Sequence, residues 1–506
     1  MIERIKTGAL VVLVMLSLLQ SYLLAYSFPN LGATVTAEQE YIPTETMGQA
    51  QKIDQVLFPE DIVLHMGKDR HTVLYPDMTF YNNIYADIRE GEYRSFQRTR
   101  VDRTNWNELR AQAAGVELRF GKGVPVTLLQ RVVPRLEGDI LFMGDSIERI
   151  WIMKRADNET PKAYFFSTDG VTVYESSQSD LSAQRLQRQV GYGAYLPAYT
   201  LWRGSIYIPQ QPVEAVEYRF GYASYSPEQM QRNLFFDQAK TRNLKDYDGN
   251  QIYTDGKRGL KLESNGTWMV YTDPVAMLDS PNSLADNTLA ALQFVNQHGG
   301  WDGVHRFVGP GPESDNRSIV FQQYFGSYPL LDSPNLRYGQ IQLELEQGVV
   351  RNYERSLLTR GERRGESTVR WLPGGEGLRS ALNQFARRGE IEAVFPALVV
   401  AQQHGDKGVE PALVMEPVWA VRLADGAQAT IAQAWAAGFK PETEPVVQPP
   451  AGAGPDAPNG AGPGSGDIPP RTGGLQDPGF GSGSLLPDDG EPAEPAQPGD
   501  SAGGGG

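Results

Sequence analysis

The stretch from Gly8 to Phe28, GALVVLVMLSLLQSYLLAYSF, carries no charged residue. As a helix rising about 1.5 Å per residue, about twenty such residues span a hydrocarbon core of about 30 Å, so one membrane crossing is expected at 8–28. Arg4 and Lys6 stand before the run, and Glu38, Glu40 and Glu45 follow it. Basic flanks stay in the cytoplasm, which puts residues 1–7 inside and the bulk of the chain outside, with Tyr22, Tyr26 and Phe28 at the outer aromatic belt. A cleavable signal peptide also opens on a basic flank. The run here is longer than a usual signal core and ends without an A-x-A site, which favours retention. A cytoplasmic end of this size cannot fold or catalyse, so any influence on the cell interior has to pass through another membrane protein. Ser17, Gln20 and Ser21 are three and four residues apart and share one helical face. In lipid, such polar groups seek partners on neighbouring helices, each worth about 0.6–2 kcal/mol, and the Ser17/Ser21 spacing lets backbones approach closely. That face is the candidate partner contact.

The remaining chain is long enough for several domains with real cores, because 40% of its 506 residues are hydrophobic. A net charge of −15 without any basic stripe argues against nucleic acid. With no cysteine, disulfides, thiolate chemistry and a lipoprotein anchor are all excluded.

After the membrane segment, Pro29, Gly32 and Pro43 mark a stalk over 29–45, and an N-terminal α+β region follows over 46–204. Helix is expected at 46–57 and 77–99, and in a segment capped by Asn105. Strands are expected at 61–67 and 71–76, across a Gly-Lys-Asp turn. Further strands are read in VELRF, VPVTLLQRV, DILFMG, ERIWIMKR and AYFFSTDGVTVY. A central module spans 205–282. There Ser226-Pro227-Glu228-Gln229 opens a helix with a capping box, and short strands follow with turns at 247–250 and 264–267. A C-terminal module spans 283–439, with a helix from Ser283 to Gly299-Gly300, strands that include RSIVFQQYFG, YGQIQLELEQ and VVRNYERSL, and a helix at 376–388. The fold class read from this is α+β, with antiparallel sheets and packed helices, the second half being two similar helix-plus-meander modules. Residues 440–506 are Pro, Gly, Ala and acid, too poor in apolar residues to fold, and are read as a disordered tail.

Two short blocks suggest chemistry. Gly144-Asp145-Ser146 follows the apolar ILFM, and Asp302-Gly303-Val304-His305 has D-x-x-H spacing. Together they resemble the nucleophile and base blocks of SGNH-type serine esterases, in which Asp orients His, His takes the serine proton and backbone amides hold the oxyanion. No block completes an oxyanion hole, and Ser146 runs into a strand-like segment instead of a helix. A Gly-Asp-Ser turn and a Trp-Asp-Gly loop are the plainer readings. The five histidines, His65, His71, His298, His305 and His404, show no metal-ligand spacing, and His65 and His71 read as surface residues. Asp246-Tyr247-Asp248-Gly249-Asn250 places its glycine too early for a calcium loop and reads as a hairpin turn. No cofactor and no metal are expected.

Several segments resemble one family. IERIKTGALVVLVMLSLLQSYLLAY, LFFD, NLKDYDGNQIYTDGKRGLKLESNGTWMVYTDP, LQFVNQHGGW and VVRNYERSL occur in the order seen in the YycH (WalH) family, regulators of an essential cell-wall two-component system of low-GC Gram-positive bacteria. The resemblance spans roughly residues 1–435 and leaves out the tail. It implies a single-pass protein of the cell membrane with a multidomain α+β ectodomain and no enzymatic activity. Its implied partners are the sensor histidine kinase WalK (YycG) and a YycI-like membrane protein, met within the lipid bilayer, with kinase activity adjusted through contacts between transmembrane helices. The sign of that adjustment differs among family members.

Overall fold

The computed structural model describes residues 46–155, 159–235, 237–263, 265–276, 281–310, 316–405 and 410–431, with positions 4, 6 and 14–17 near the N-terminus. Most of the expected membrane segment, including Gln20 and Ser21, lies outside the described residues, as do the stalk and the tail at 440–506; Ser17 is in an exposed helical stretch. Among the described residues, no helix is long and apolar enough to cross a membrane.

The class is α+β, and among the described residues the named strands pair antiparallel except at one parallel joint. The first sheet has nine strands in the order β3-β7-β6-β5-β4-β1-β2-β8-β9. They are β1 (Asp61–Met66), β2 (His71–Leu74), β3 (Tyr93–Arg100), β4 (Ala114–Pro125), β5 (Ser146–Met153), β6 (Lys162–Ser167), β7 (Thr172–Ser179), β8 (Tyr199–Arg203) and β9 (Ile206–Pro209). The expected Gly-Lys-Asp turn joins β1 to β2, with Gly67, Lys68 and Asp69 all at positive φ (72°, 55° and 55°). Helix Trp106–Gln112 starts at Asn105, whose side chain accepts a hydrogen bond from the Glu108 amide.

Several local expectations for this sheet are corrected. Of 46–57 only Ile53–Val56 is helical, because the preceding residues are tied elsewhere: the Met47 and Gly48 amides donate to Gly299 O at 2.7 and 3.0 Å. Of 77–99 only Thr79–Arg89 is helical, and β3 takes up the rest, its residues alternating between sheet faces. The segment VPVTLLQRV enters helix Val126–Val132 after Pro125, and ILFM forms helical turn Ile140–Met143, capped by the Asp139 carboxylate. Both are short apolar runs, which periodicity alone does not assign to strand or helix. In the second, Phe142 is buried while Ile140 and Leu141 are exposed. Helix Ala183–Gly191, capped by Ser182, was not anticipated.

The second sheet has two parts. One is a continuous meander, β11 (Arg242–Lys245), β12 (Gln251–Thr254), β13 (Gly259–Leu262) and β14 (Trp268–Thr272), preceded by helix Pro227–Leu234. It pairs through β14 with β19 (Val349–Ser356), which leads on to β18 (Gln340–Glu346), β16 (Ser318–Phe325) and β15 (Val304–Pro310), preceded by helix Leu284–Gln297. The last strands of the two four-stranded runs therefore meet antiparallel. Ser226 and Gln229 form the expected capping box, and Gly299 and Gly300, at φ 108° and 80°, end the second helix. At Gly300 a Cβ would lie 2.3 Å from Gly48 O, so the helix stop also needs a residue without a side chain.

The other part is built around a long hairpin, β22 (Ile391–Gln403) and β23 (Ala412–Leu423), with β24 (Gln428–Thr430) beside it. Strand β10 (Val213–Ser224), although it precedes both meanders, belongs here: it pairs in turn with β21 (Thr368–Leu372), β23 and β20 (Leu358–Arg363). Strand β17 (Tyr328–Asp332) joins the two parts, antiparallel to β16 and parallel to β22. Helix Gly375–Gln384 buries Leu378 and Leu382 against Ile206 and Ile208 of β9 and Trp419 of β23. Val63, Val73, Tyr199 and Tyr207 of the first sheet share a core with Phe395, Ala397 and Ala420 of the hairpin.

Candidate functional site

Where the sheets meet, ionised side chains from distant parts of the chain are stacked together. Glu60 directly precedes β1. It receives Arg422 of β23 at 2.5 Å and faces Arg306 of β15 at 3.9 Å. Its neighbour Asp61 is held by two bonds from Arg119 of β4, at 2.5 and 2.7 Å. Arg306, 2% exposed, also donates to Phe58 O at 3.0 Å and Phe120 O at 3.3 Å, so its charge is met by backbone carbonyls as well. Burial opposes the charge on Glu60, yet Arg422 and Arg306 outweigh it and hold its carboxyl down at about 2.

A cavity of about 700 Å³ opens on one side of this stack, lined by Glu60, Arg306 and Arg422 together with Lys122, Gln322 and Gln342 among others. A second, of about 350 Å³, shares Glu60 and Arg422 with the first and is lined also by Asp61 and Arg119. Lys122 stands on the irregular part of β4 between Arg119 and Val124, where the ladder to β5 shifts register. In the larger cavity three glutamines form a directed chain. Gln342 Nε2 donates to Gln340 Oε1 at 2.8 Å, Gln340 Nε2 donates to Gln322 Oε1 at 3.0 Å, and Gln322 Nε2 donates to the carbonyls of Leu330 and Gly339. No spacing in the sequence announces this site, since its residues come from β1, β4, β15, β16, β18 and β23 and the loops beside them.

The two esterase-like blocks are not brought together. Ser146 opens β5 of the first sheet, and His305 sits on β15 of the second. Asp145 accepts from Ser167 Oγ at 2.8 Å and from Tyr174 OH at 2.9 Å. Asp302 receives Arg355 at 3.0 Å, and His305 Nδ1 lies 3.1 Å from Gly303 O. His305 is 1% exposed, and burial, only partly offset by Asp302, lowers its pKa to about 4. Asp145 and Asp302 are thus engaged by structural partners, and Ser146 and His305 stand on strands of different sheets.

His65 and His71 are not on the surface: both are buried. Their Nδ1 atoms lie 3.0 Å apart, while His65 Nε2 meets Glu117 at 2.9 Å and His71 Nε2 meets Asp69 at 3.2 Å. The two rings meet edge to edge between the carboxylates of Glu117 and Asp69. Burial lowers both pKa values despite those carboxylates. The Asp246 turn is the expected hairpin: Oδ1 accepts from the Asp248 and Asn250 amides at 3.0 and 2.9 Å, and Oδ2 accepts from Asn250 Nδ2 at 2.7 Å. Among the described residues no group of acidic or histidine side chains is arranged to hold a metal.

The class the geometry defines is a multi-sheet α+β body in which the two suspected catalytic blocks serve as structural contacts. The comparisons place it more closely. The model of the YycH N-terminal domain matches residues 3–190 and that of the YycH C-terminal domain matches residues 203–433, so the chain belongs to the YycH family of regulatory proteins of the WalK two-component system. The fold is similar to the crystal structure of YycH from Bacillus subtilis, with a TM-score of 0.61 at 16% identity over 77% of this chain and 99% of that one. An uncharacterized protein from Eubacterium rectale aligns over 45% of this chain and 85% of its own at 9% identity, with a TM-score of 0.29. No curated protein matches the sequence.

Proposed function

We propose that this protein is a single-pass regulator of the cell membrane, its bulk outside the cell, which adjusts the sensor kinase WalK through contacts between transmembrane helices and acts with a YycI-like partner. Membership of the YycH family across both of its domains carries the reading. The uncharged run at 8–28, its basic leading flank and the polar face of Ser17, Gln20 and Ser21 supply the physical route. A helix that packs differently against two kinase states biases their populations by its differential contact energy. A few kcal/mol is enough to change the output strongly, and two or three intramembrane polar contacts are of that order.

The test is replacement of residues 8–28 by an unrelated membrane helix, with expression of the kinase's target genes as the readout. Altered output is expected, and unchanged output would remove the helix from the mechanism. The serine-esterase alternative has no support in the placement of Ser146, Asp302 and His305, and Ser146→Ala should leave any response of the pathway intact.

A further inference from the structure

The larger junction cavity has the make-up of a binding site for which the regulatory role gives no account. Its about 700 Å³ falls in the size range of small-molecule sites. Lys122, in its lining, donates among the described residues to Pro310 O, at 3.3 Å. Among the described residues no carboxylate lies within ion-pair distance of its ammonium group; Glu392 and Asp425 act on it from further away, and Asp425 is engaged by Arg387. The lysine is nonetheless held in place. A Cβ on Gly426 would lie 2.3 Å from Lys122 Nζ, and one on Gly309 would lie 2.9 Å from Lys122 Cβ, so the side chain runs through a slot between two glycines. Burial and the neighbouring Arg422 act against its charge, an arrangement that an incoming anion would relieve. Arg422 Nε is buried with no partner, and the Glu60 carboxylate is already shared between Arg422 and Arg306. The other carboxylate of the lining, Asp332, accepts from the Tyr338 amide at 2.8 Å, so neither acid of the cavity engages Lys122.

The neutral wall is also directed. Because each amide in the Gln342–Gln340–Gln322 chain donates toward the backbone, the series ends in Gln342 Oε1, an acceptor with no donor among the described residues. An oriented amide acceptor facing a cavity suits a hydroxyl group. We propose that this cavity binds a hydroxyl-rich molecule carrying one carboxylate or phosphate, of the size of a monosaccharide or disaccharide, with the anion at Lys122 and Arg422 and the hydroxyls along Gln342 and Gln340. The proposal does not depend on the membrane helix or on the kinase.

The experiment is calorimetric titration of the full chain in detergent with glucuronate, glucose 6-phosphate, glucose and inorganic phosphate. At least one of the two anionic sugars should bind about tenfold or more tightly than either glucose or phosphate alone, and the tighter of the two identifies the anion. Lys122→Met should weaken that binding about tenfold while the thermal midpoint stays within a few degrees. Independently of any variant, the bound sugar should shield Lys122 of the natural chain from an amine-acetylating reagent, read by mass spectrometry. Absence of binding, phosphate or glucose binding as tightly as the anionic sugars, or equal acetylation of Lys122 with and without sugar would each overturn the proposal.

Discussion

Single residues act here mainly through whether a charge or a hydrogen bond is completed. Ser226 caps helix Pro227–Leu234, its hydroxyl accepting from the Gln229 amide at 3.2 Å, so Ser226→Ala should cost about 1 kcal/mol in urea unfolding. Glu60 is a heavier case. With its folded carboxyl at about 2, below the ordinary 4.5, it contributes stability that is complete above about pH 4.5 and disappears as the pH falls toward 2. Glu60→Gln leaves Arg422 and Arg306 without a countercharge and should destabilise the protein at pH 7 by about 3–5 kcal/mol. The same variant should also have a flatter acid limb between pH 4.5 and 2, measured by urea titrations across that range. His305 works in the same direction at higher pH: buried and lowered to about 4 from 6.5, it opposes unfolding least when protonated. His305→Gln should therefore reduce the loss of stability between pH 6.5 and 4.

At the level of elements, the clearest parts of the sequence were those with a local chemical cause. The capping box at Ser226, the Asn105 cap, the Ser283 start and the Gly299-Gly300 stop all describe groups that satisfy a helix end within a few residues, and the structure has each of them. Short apolar runs were not decidable in the same way. VPVTLLQRV and ILFM carry enough hydrophobic residues for either state, and what made them helical was the core available beside them, where Leu128, Leu129 and Phe142 are fully buried. The stop at Gly300 combines both kinds of cause, because φ of 80° is a local demand and the approach of Gly48 is a distant one. Gly300→Ala should cost more than about 1 kcal/mol, because the strain at positive φ and the clash with Gly48 outweigh the entropy that alanine saves in the unfolded chain. Thermal unfolding measures the loss, and faster amide exchange at Met47 and Gly48 would show that the N-terminal segment has come away with it.

On the scale of the whole molecule, the two sheets meet at the ionic stack at Glu60 and in the shared core of Val63, Val73, Phe395 and Ala420, while β17 ties the two parts of the second sheet together. Such continuity predicts cooperative unfolding of the described body. Phe395→Ala should lower stability by about 3–5 kcal/mol while far-ultraviolet dichroism and tryptophan fluorescence continue to report one transition. Two separated transitions in the unmodified protein would mean that the sheets unfold independently.

The sequence by itself determined the α+β class, the helix ends marked by a capping residue or a glycine stop, the turns at Gly67 and Asp246 and, through ordered segments from end to end, the family. Those follow from period, capping and turn chemistry, which act over a few residues, or from matching letters. Tertiary structure alone decided that β10 joins the strands of the chain's far end, that His65 and His71 are buried together, and that Glu60 meets Arg422, 362 positions away. Burying a charge is unfavourable until its partner arrives. Where that partner comes from depends on which strands pair, and nothing local to either residue encodes it.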